Sequence, residues 1–309
     1  MTMQHQAVPG PQPPSRERYW SPSANARRAT PRSAVTNALT VDVEDYFQVS
    51  ALAPHIDRAT WDRRECRVER NVERLLALFA ARGARGTFFT LGWIAERYPH
   101  LMRRIVAEGH ELASHGYGHQ RCTELGRTEL LDDVRRAKDL LEDGTGQPVQ
   151  GYRAPSFSIG GGNPWAFDVL LEAGYRYTSS VYPVRHDHYG MPDAPRFAHE
   201  VRPGLLEIPV ATVRVLRKNW PAGGGGYFRL LPYRLSRWSI RQINERDRQP
   251  AMFYFHPWEL DAEQPRIPGV DAKTRFRHYL NLHRTAPRIA CLLRDFRWNR
   301  VDAVFPIAT

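Results

Sequence analysis

Nowhere in this sequence does an apolar run approach the roughly 20 residues that a bilayer span needs, so no transmembrane helix is expected within it. The N-terminus has no basic stretch followed by an apolar core, and the expectation is a chain without an export signal. Cysteine is scarce as well. Cys66, Cys122 and Cys291 are odd in number, far apart and without a CxxC spacing, which argues against a disulfide framework or a zinc–cysteine knot. A reducing compartment, the cytoplasm, is the expected location. Lysine occurs only at 138, 218 and 273, although Lys and Arg together number 44.

What the chain does have is arginine, and with it a net charge of +11. That excess invites a nucleic-acid reading, but its distribution speaks against one. Arg16, Arg18, Arg27, Arg28 and Arg32 against Glu17 put +4 into the first 38 residues. Elsewhere arginines alternate with acids, as in Asp132-Asp133-Val134-Arg135-Arg136. A solvated basic surface is expected, with attraction to anionic polymers or lipid headgroups as the secondary consequence. No nucleic-acid partner is expected; peripheral contact with a membrane through the basic leader is compatible with the sequence.

A hydrophobic fraction of 42% over 309 residues is enough for a sizeable core. Residues 1–38, rich in Pro, Ser, Gln and Arg, read as a disordered leader. Order is expected from Ala38-Leu39-Thr40-Val41, a strand ending in Asp42-Val43-Glu44-Asp45. A helix over about 68–82 puts Val72, Leu75, Leu76 and Phe79 on one face, with Gly83 as its stop. Strands follow at 86–92, 110–114, 149–153, 175–178 and 251–255. Helices are expected at 99–108, from an N-cap at Thr128 to about Glu142, and at 164–173. Glu207-Ile208-Pro209-Val210 reads as a strand, Gly223 to Gly226 as a flexible turn, and 274–296 as helix broken near Pro287. Strands alternating with helices predict a parallel sheet.

His115 and His119, in Ser114-His115-Gly116-Tyr117-Gly118-His119, stand out as candidate ligands. Two imidazoles four positions apart on one turn lie about 6 Å from each other, a spacing that suits convergence on one metal ion. The pair follows a strand, as do the acidic run Asp42-Val43-Glu44-Asp45, Arg153-Ala154-Pro155 and His256-Pro257-Trp258. Polar chemistry at the C-terminal ends of successive strands is the mark of a barrel enzyme.

Taken together, Leu39-Thr40-Val41-Asp42, Gly86 to Gly92, His115 to His119, Tyr152-Arg153-Ala154-Pro155 and Phe255-His256 resemble the polysaccharide deacetylases. These are the NodB-homology proteins of carbohydrate esterase family 4. Asp42-Val43-Glu44-Asp45-Tyr46-Phe47 and Phe255-His256-Pro257-Trp258-Glu259 further resemble the subgroup found with exosortase-linked exopolysaccharide clusters. The resemblance covers about residues 39–305. It implies an α/β fold, a distorted (β/α) barrel over 39–258 with a C-terminal helical extension over 259–309 packed on it.

It also implies one divalent metal, usually zinc, held by a carboxylate with His115 and His119. Asp42 matches the catalytic base, Arg153 the arginine that orients it, and His256 the general acid. Val43 separates Asp42 from the next acid, so the metal carboxylate is Glu44 or Asp45; alternation along a strand favours Glu44. No Asp-Trp pair that would tune the acidic histidine lies between Arg153 and His256; Asp187 and Glu207 are the substitutes. Ser156 stands where many members carry tyrosine, leaving Phe157 as the aromatic wall and the Ser156 N–H as an oxyanion donor.

The implied reaction is hydrolysis of N-acetyl groups on amino sugars of a polysaccharide. Tyr46, Phe47, Trp220 and Trp258 are candidates for stacking on sugar rings, with core packing as the alternative. Rivals are a metal-independent hydrolase acting on a small amide or imide, and a non-catalytic glycan-binding relative. Metal analysis separates the first from a deacetylase, and acetate release from polymer separates the second.

Overall fold

The computed structural model describes residues 35–186 and 190–307. The leader expected over residues 1–38 lies outside them up to residue 34, and strand order begins at Thr36. In chain order the elements are β1 (Thr36–Val43), α1 (Val68–Ala80), β2 (Thr87–Thr90), α2 (Gly92–Arg97), α3 (Pro99–Ala107), β3 (Glu111–Ser114), α4 (Arg127–Thr145), β4 (Gly151–Tyr152), α5 (Ala166–Glu172) and β5 (Tyr177–Thr178). Then come β6 (His199–Arg202), β7 (Leu205–Glu207), β8 (Thr212–Val215), β9 (Lys218–Pro221), α6 (Gly225–Leu230), α7 (Tyr233–Arg241) and β10 (Met252–Phe255). Last are α8 (Ala272–Tyr279), α9 (Leu282–Asp295), β11 (Arg297–Asn299) and α10 (Val301–Val304). No helix among the described residues is long and apolar enough to cross a membrane.

The main sheet runs β10-β1-β2-β3-β4-β5-β7-β6, with β11 also on β1. Every pairing is parallel except β6 with β7. Between β7 and β10 the ladder is irregular but bridged: Ala211 N–H donates to Met252 O at 3.1 Å, and Tyr254 N–H to Gly223 O at 2.7 Å. The result is a distorted α/β barrel. Its strands β1 to β5 and β10 are buried on both faces, as a parallel sheet under helices requires. Ala38, Phe89, Ala113, Tyr177, Ile208 and Met252 fill its lower interior, and Val301 and Phe305 close it from below.

Register is what aligns the chemistry. Val43, Thr90, Ser114, Tyr152 and Thr178 are successive partners across β1 to β5. The next residues on β1, β3 and β4 are therefore Glu44, His115 and Arg153, at one rim. On the other side of β1, Val41 pairs with Phe255, which brings His256 level with Asp42.

Four local expectations need correction. Thr128 does not cap α4; the helix starts at Arg127 because Glu129 reaches back to accept Gly126 N–H at 2.8 Å. It runs on to Gly146, whose φ of 66° makes the left-handed stop. Gly223 to Gly226 is no mobile turn. Its backbone lies directly against β10, where a Cβ on Gly224 would meet Tyr254 O at 1.9 Å, and Gly225 opens α6. The C-terminal helices break at Asn281, with φ of 53°, while Pro287 is accommodated inside α9.

Candidate active site

Asp42 is the last inward-facing residue of β1, buried two positions after Thr40. Arg153 enters the barrel from β4, fully buried over the Phe89 ring at 4.1 Å. Its Nη1 donates to Asp42 Oδ1 at 2.5 Å and to Thr40 Oγ1 at 2.8 Å. Its Nε and Nη2 donate to Ser179 O at 3.2 Å and Ser179 Oγ at 2.9 Å. Such a guanidinium has no freedom to move, and it presents Asp42 in one orientation.

Beyond Val43 the chain turns, with Glu44 N–H donating to Asp42 O at 3.0 Å. Glu44 still faces the rim. Among the described residues, one ligand atom each from Glu44, His115 and His119 lies within 4.8 Å of the others, all three residues buried. His115 Nδ1 is 2.8 Å from Arg153 O, so that nitrogen carries the proton and Nε2 is left bare. His119 Nδ1 is 3.3 Å from Ser50 Oγ, itself bonded by Ser156 Oγ at 2.7 Å. Positive φ at Gly116 (73°) and His119 (54°) folds the loop so that the rings stand 5.1 Å apart.

His119 Nε2 is 2.8 Å from Glu44 Oε2, yet that oxygen has no aligned hydrogen bond although it is buried. Burial alone would raise the Glu44 carboxyl; the imidazoles of His119, His256 and His115 outweigh it and hold it well below the ordinary carboxylate range. Burial lowers His115 to about 4, so it is neutral at pH 7. An ionised carboxylate with an orphaned oxygen, beside the imidazole rings of His115 and His119, fits a divalent cation.

Asp45, the alternative ligand, is not brought to this cluster. Its carboxylate accepts Arg67 N–H at 2.5 Å, Val68 N–H at 2.8 Å and Tyr46 N–H at 2.8 Å. It caps the N-terminus of α1, where four backbone donors lack partners within the helix.

His256 completes the rim. Its Nε2 lies 3.5 Å from Glu44 Oε1 and 3.9 Å from Asp42 Oδ2. Burial would lower its imidazole, but the carboxylates of Glu44 and Glu259, with Asp42 behind them, hold it up at about 9. It is a cation at neutral pH.

Of the two expected substitutes, Glu207 is bonded elsewhere. Glu207 accepts the N–H groups of Ser180 and Val181 at 3.1 and 2.9 Å, and burial pushes it to about 8. Asp187 lies outside the described residues. The partner is Glu259, whose Oε1 is 2.6 Å from His256 Nδ1 and whose Oε2 accepts Arg229 Nε at 2.7 Å. Trp258 stacks on the His256 ring at 5.1 Å and donates Nε1–H to Glu44 Oε1 at 3.1 Å. The signal was present: a Glu three residues after His256 is the capping-box spacing for a short helical turn.

The site opens into a cavity of about 570 Å³ lined by Asp42, Glu44, His115, His119, Ser156 and His256, with Phe157 on its wall. Of the candidate sugar-stacking aromatics, Tyr46, Phe47 and Trp258 are buried and Trp220 is 56% exposed.

Residues 58–178 match the family described as polysaccharide deacetylase. Residues 179–306 match one described as a domain of unknown function, DUF3473. Among curated proteins the chain is similar to a peptidoglycan deacetylase of Helicobacter pylori, 30% identical over 118 residues, 37% of this chain and 38% of that one. It is also similar to a chitooligosaccharide deacetylase of Bradyrhizobium, 27% identical over 138 residues, 44% of this chain and 59% of that one. The chain thus spans less than two thirds of the length of these relatives. A solved structure from Mycobacterium smegmatis, assigned to the polysaccharide deacetylases, superposes with a TM-score of 0.51 at 22% identity over 90% of this chain and 94% of its own. That similarity bears on the fold. His115, His119 and Arg153 fall within the deacetylase match, Asp42 and Glu44 precede it, and His256 and Glu259 belong to the second domain match.

Proposed function

We propose that this chain, which carries a polysaccharide deacetylase domain of the NodB or carbohydrate esterase family 4 type, removes N-acetyl groups from amino sugars of a polysaccharide with the help of one divalent metal. The observation that carries this reading is the trio Glu44, His115 and His119 facing Asp42 and His256 across one cavity. Two imidazole nitrogens and a carboxylate oxygen suit zinc. When bound, such an ion polarises an acetamide carbonyl and acidifies water.

The remaining steps belong to side chains. Asp42, fixed by Arg153, accepts the proton of the attacking water. His256, a cation at neutral pH, donates its proton to the leaving sugar amine. Glu259 holds His256 Nδ1, so that Nε2 carries the transferable proton toward the cavity. Main-chain N–H at Ser156 is the donor for the developing oxyanion on this reading, and Arg153 acts only through Asp42.

Support for an exopolysaccharide substrate comes from the Asp42 to Phe47 and Phe255 to Glu259 runs. Three free cysteines, Cys66, Cys122 and Cys291, support a reducing, cytoplasmic setting. The test is acetate release from an N-acetylated glucosamine oligomer by metal-loaded protein and by H256A. Turnover should collapse in the variant while metal stays near one ion per chain. Equal turnover removes His256 from the mechanism. Absence of acetate from every N-acetylated glycan offered to fully loaded protein ends the proposal.

A further inference from the structure

Residues 212–241 contain seven arginines and lysines and no acid. They form the β8–β9 hairpin, α6 and α7. Six large apolar side chains are exposed in the described residues, and five belong to this stretch: Leu216 (91%), Trp220 (56%), Leu230 (48%), Leu235 (47%) and Trp238 (43%). These five share a neighbourhood. Pro221, next to Trp220, lines one small cavity with Leu231 and Leu235, and Trp238 follows Leu235 by three positions on α7. β8 packs on α7. Leu216 and Arg217, at φ of 48° and 65°, form the hairpin tip.

We propose that this face docks the protein peripherally on an anionic lipid surface. A single exposed leucine is ordinary, but five large apolar side chains exposed within one stretch of thirty residues mark an interaction surface. Lipid offers both complements at once: acyl chains for Leu216, Trp220 and Trp238, and phosphate headgroups for Arg214, Arg217, Lys218 and Arg234 around them. Those four cations make no ion pair among the described residues. An acidic polysaccharide satisfies the charges and stacks on indole, but leaves the aliphatic leucines in water. α6 joins this surface to the chemistry, since Leu230 is exposed directly after Arg229, which holds Glu259. Docking rests on this surface alone and stands apart from the deacetylase assignment.

The experiment is co-sedimentation of the full chain with phosphatidylcholine vesicles, with and without about one-third phosphatidylglycerol. Partition onto the anionic vesicles, weakened by salt, is expected. The charge-neutral double variant L216S/W238S should lower it about tenfold or more with the melting temperature unchanged. That variant separates this face from the arginines of residues 1–34, whose contribution it leaves intact. R217E/K218E should reduce binding to anionic vesicles with little effect on neutral ones. Tryptophan quenching by brominated lipid should appear in the wild type and fall in W238F. The proposal is overturned by absence of partition, by partition unchanged in L216S/W238S, or by equal capture on soluble alginate that the same double variant abolishes.

Discussion

Two buried glutamates sit at opposite ends of one barrel, and their surroundings shift their carboxyls in opposite directions. Glu44, at the upper rim, faces three imidazoles and is held well below the ordinary carboxylate range against its own burial. Glu111, at the foot of β3, is pushed by burial and by Asp302 to about 7, although Thr87 and Tyr177 bond to it. Its oxygens are fully used: Thr87 Oγ1 at 2.5 Å, Tyr177 OH at 2.7 Å and Asp302 N–H at 3.2 Å. Glu44 Oε2 has no aligned donor. A carboxyl that is fully hydrogen-bonded and keeps its proton up to about pH 7 holds structure together. One that is ionised and orphaned is suited to a cation.

The sharpest way to break this contrast is to remove one imidazole. His115→Ala should abolish stoichiometric metal binding and reduce deacetylation by about 10³-fold or more. Glu111→Gln should alter neither. Metal retained in H115A, read by elemental analysis, would falsify the ligand assignment.

The next largest effect belongs to Glu259→Gln. The variant keeps the shape but loses the charge that His256 and the buried Arg229 share. Turnover should fall about 10- to 100-fold, with the limb of the pH–rate profile that reports the acid moving to lower pH. Stability should drop by about 3 kcal/mol or more, because Arg229 is left buried beside a neutral amide. A stability loss with an unmoved pH profile would make Glu259 purely structural.

Glu259 also shows where legibility in the sequence stopped. The rim residues Asp42, His115, Arg153 and His256 were readable because each follows an apolar strand, and parallel register does the rest. His256 is legible, but the family pattern points to a carboxylate partner between positions 153 and 256. The chain instead supplies a carboxylate three residues later, in a turn where one side chain accepts from the His256 backbone N–H and bonds its ring. Arg229 could not be foreseen, since only the packing of α6 against the turn after β10 brings it there. Helix ends were lost for a similar reason: Glu129 outcompeted Thr128 for the cap of α4 through one hydrogen bond. Of the leader, the described residues carry only the last few positions, already in or next to β1.

At the foot of the barrel the predicted effect is on stability alone. Glu111 has a folded value of about 7 against an ordinary 4.5. Below pH 4.5 both states hold the proton and nothing is lost. As the pH rises from there toward 7 the unfolded chain releases it first, so stability falls by up to about 3 kcal/mol and stays lower above 7. Glu111→Gln should flatten that slope between pH 4.5 and 7 in urea titrations. An unchanged slope would mean that Glu111 is ionised in the fold, and the contrast with Glu44 would vanish.

The smallest effect concerns the acid next to Glu44. Asp45→Asn keeps one oxygen for the N–H groups at the start of α1 and loses the charge, so stability should fall by only about 1 kcal/mol. Metal content and turnover should hold, because its carboxylate points into the helix terminus and away from His115 and His119. Glu44→Gln, one position earlier, should lose both metal and turnover. Adjacent acids would then differ by orders of magnitude in activity because the turn after β1 aims them at different partners. The chain turns after Val43, and the turn leaves Glu44 facing the rim while Asp45 faces the start of α1. If Asp45→Asn loses metal as completely as Glu44→Gln, the turn after Val43 is placed one residue too late, and the ligand oxygen belongs to Asp45.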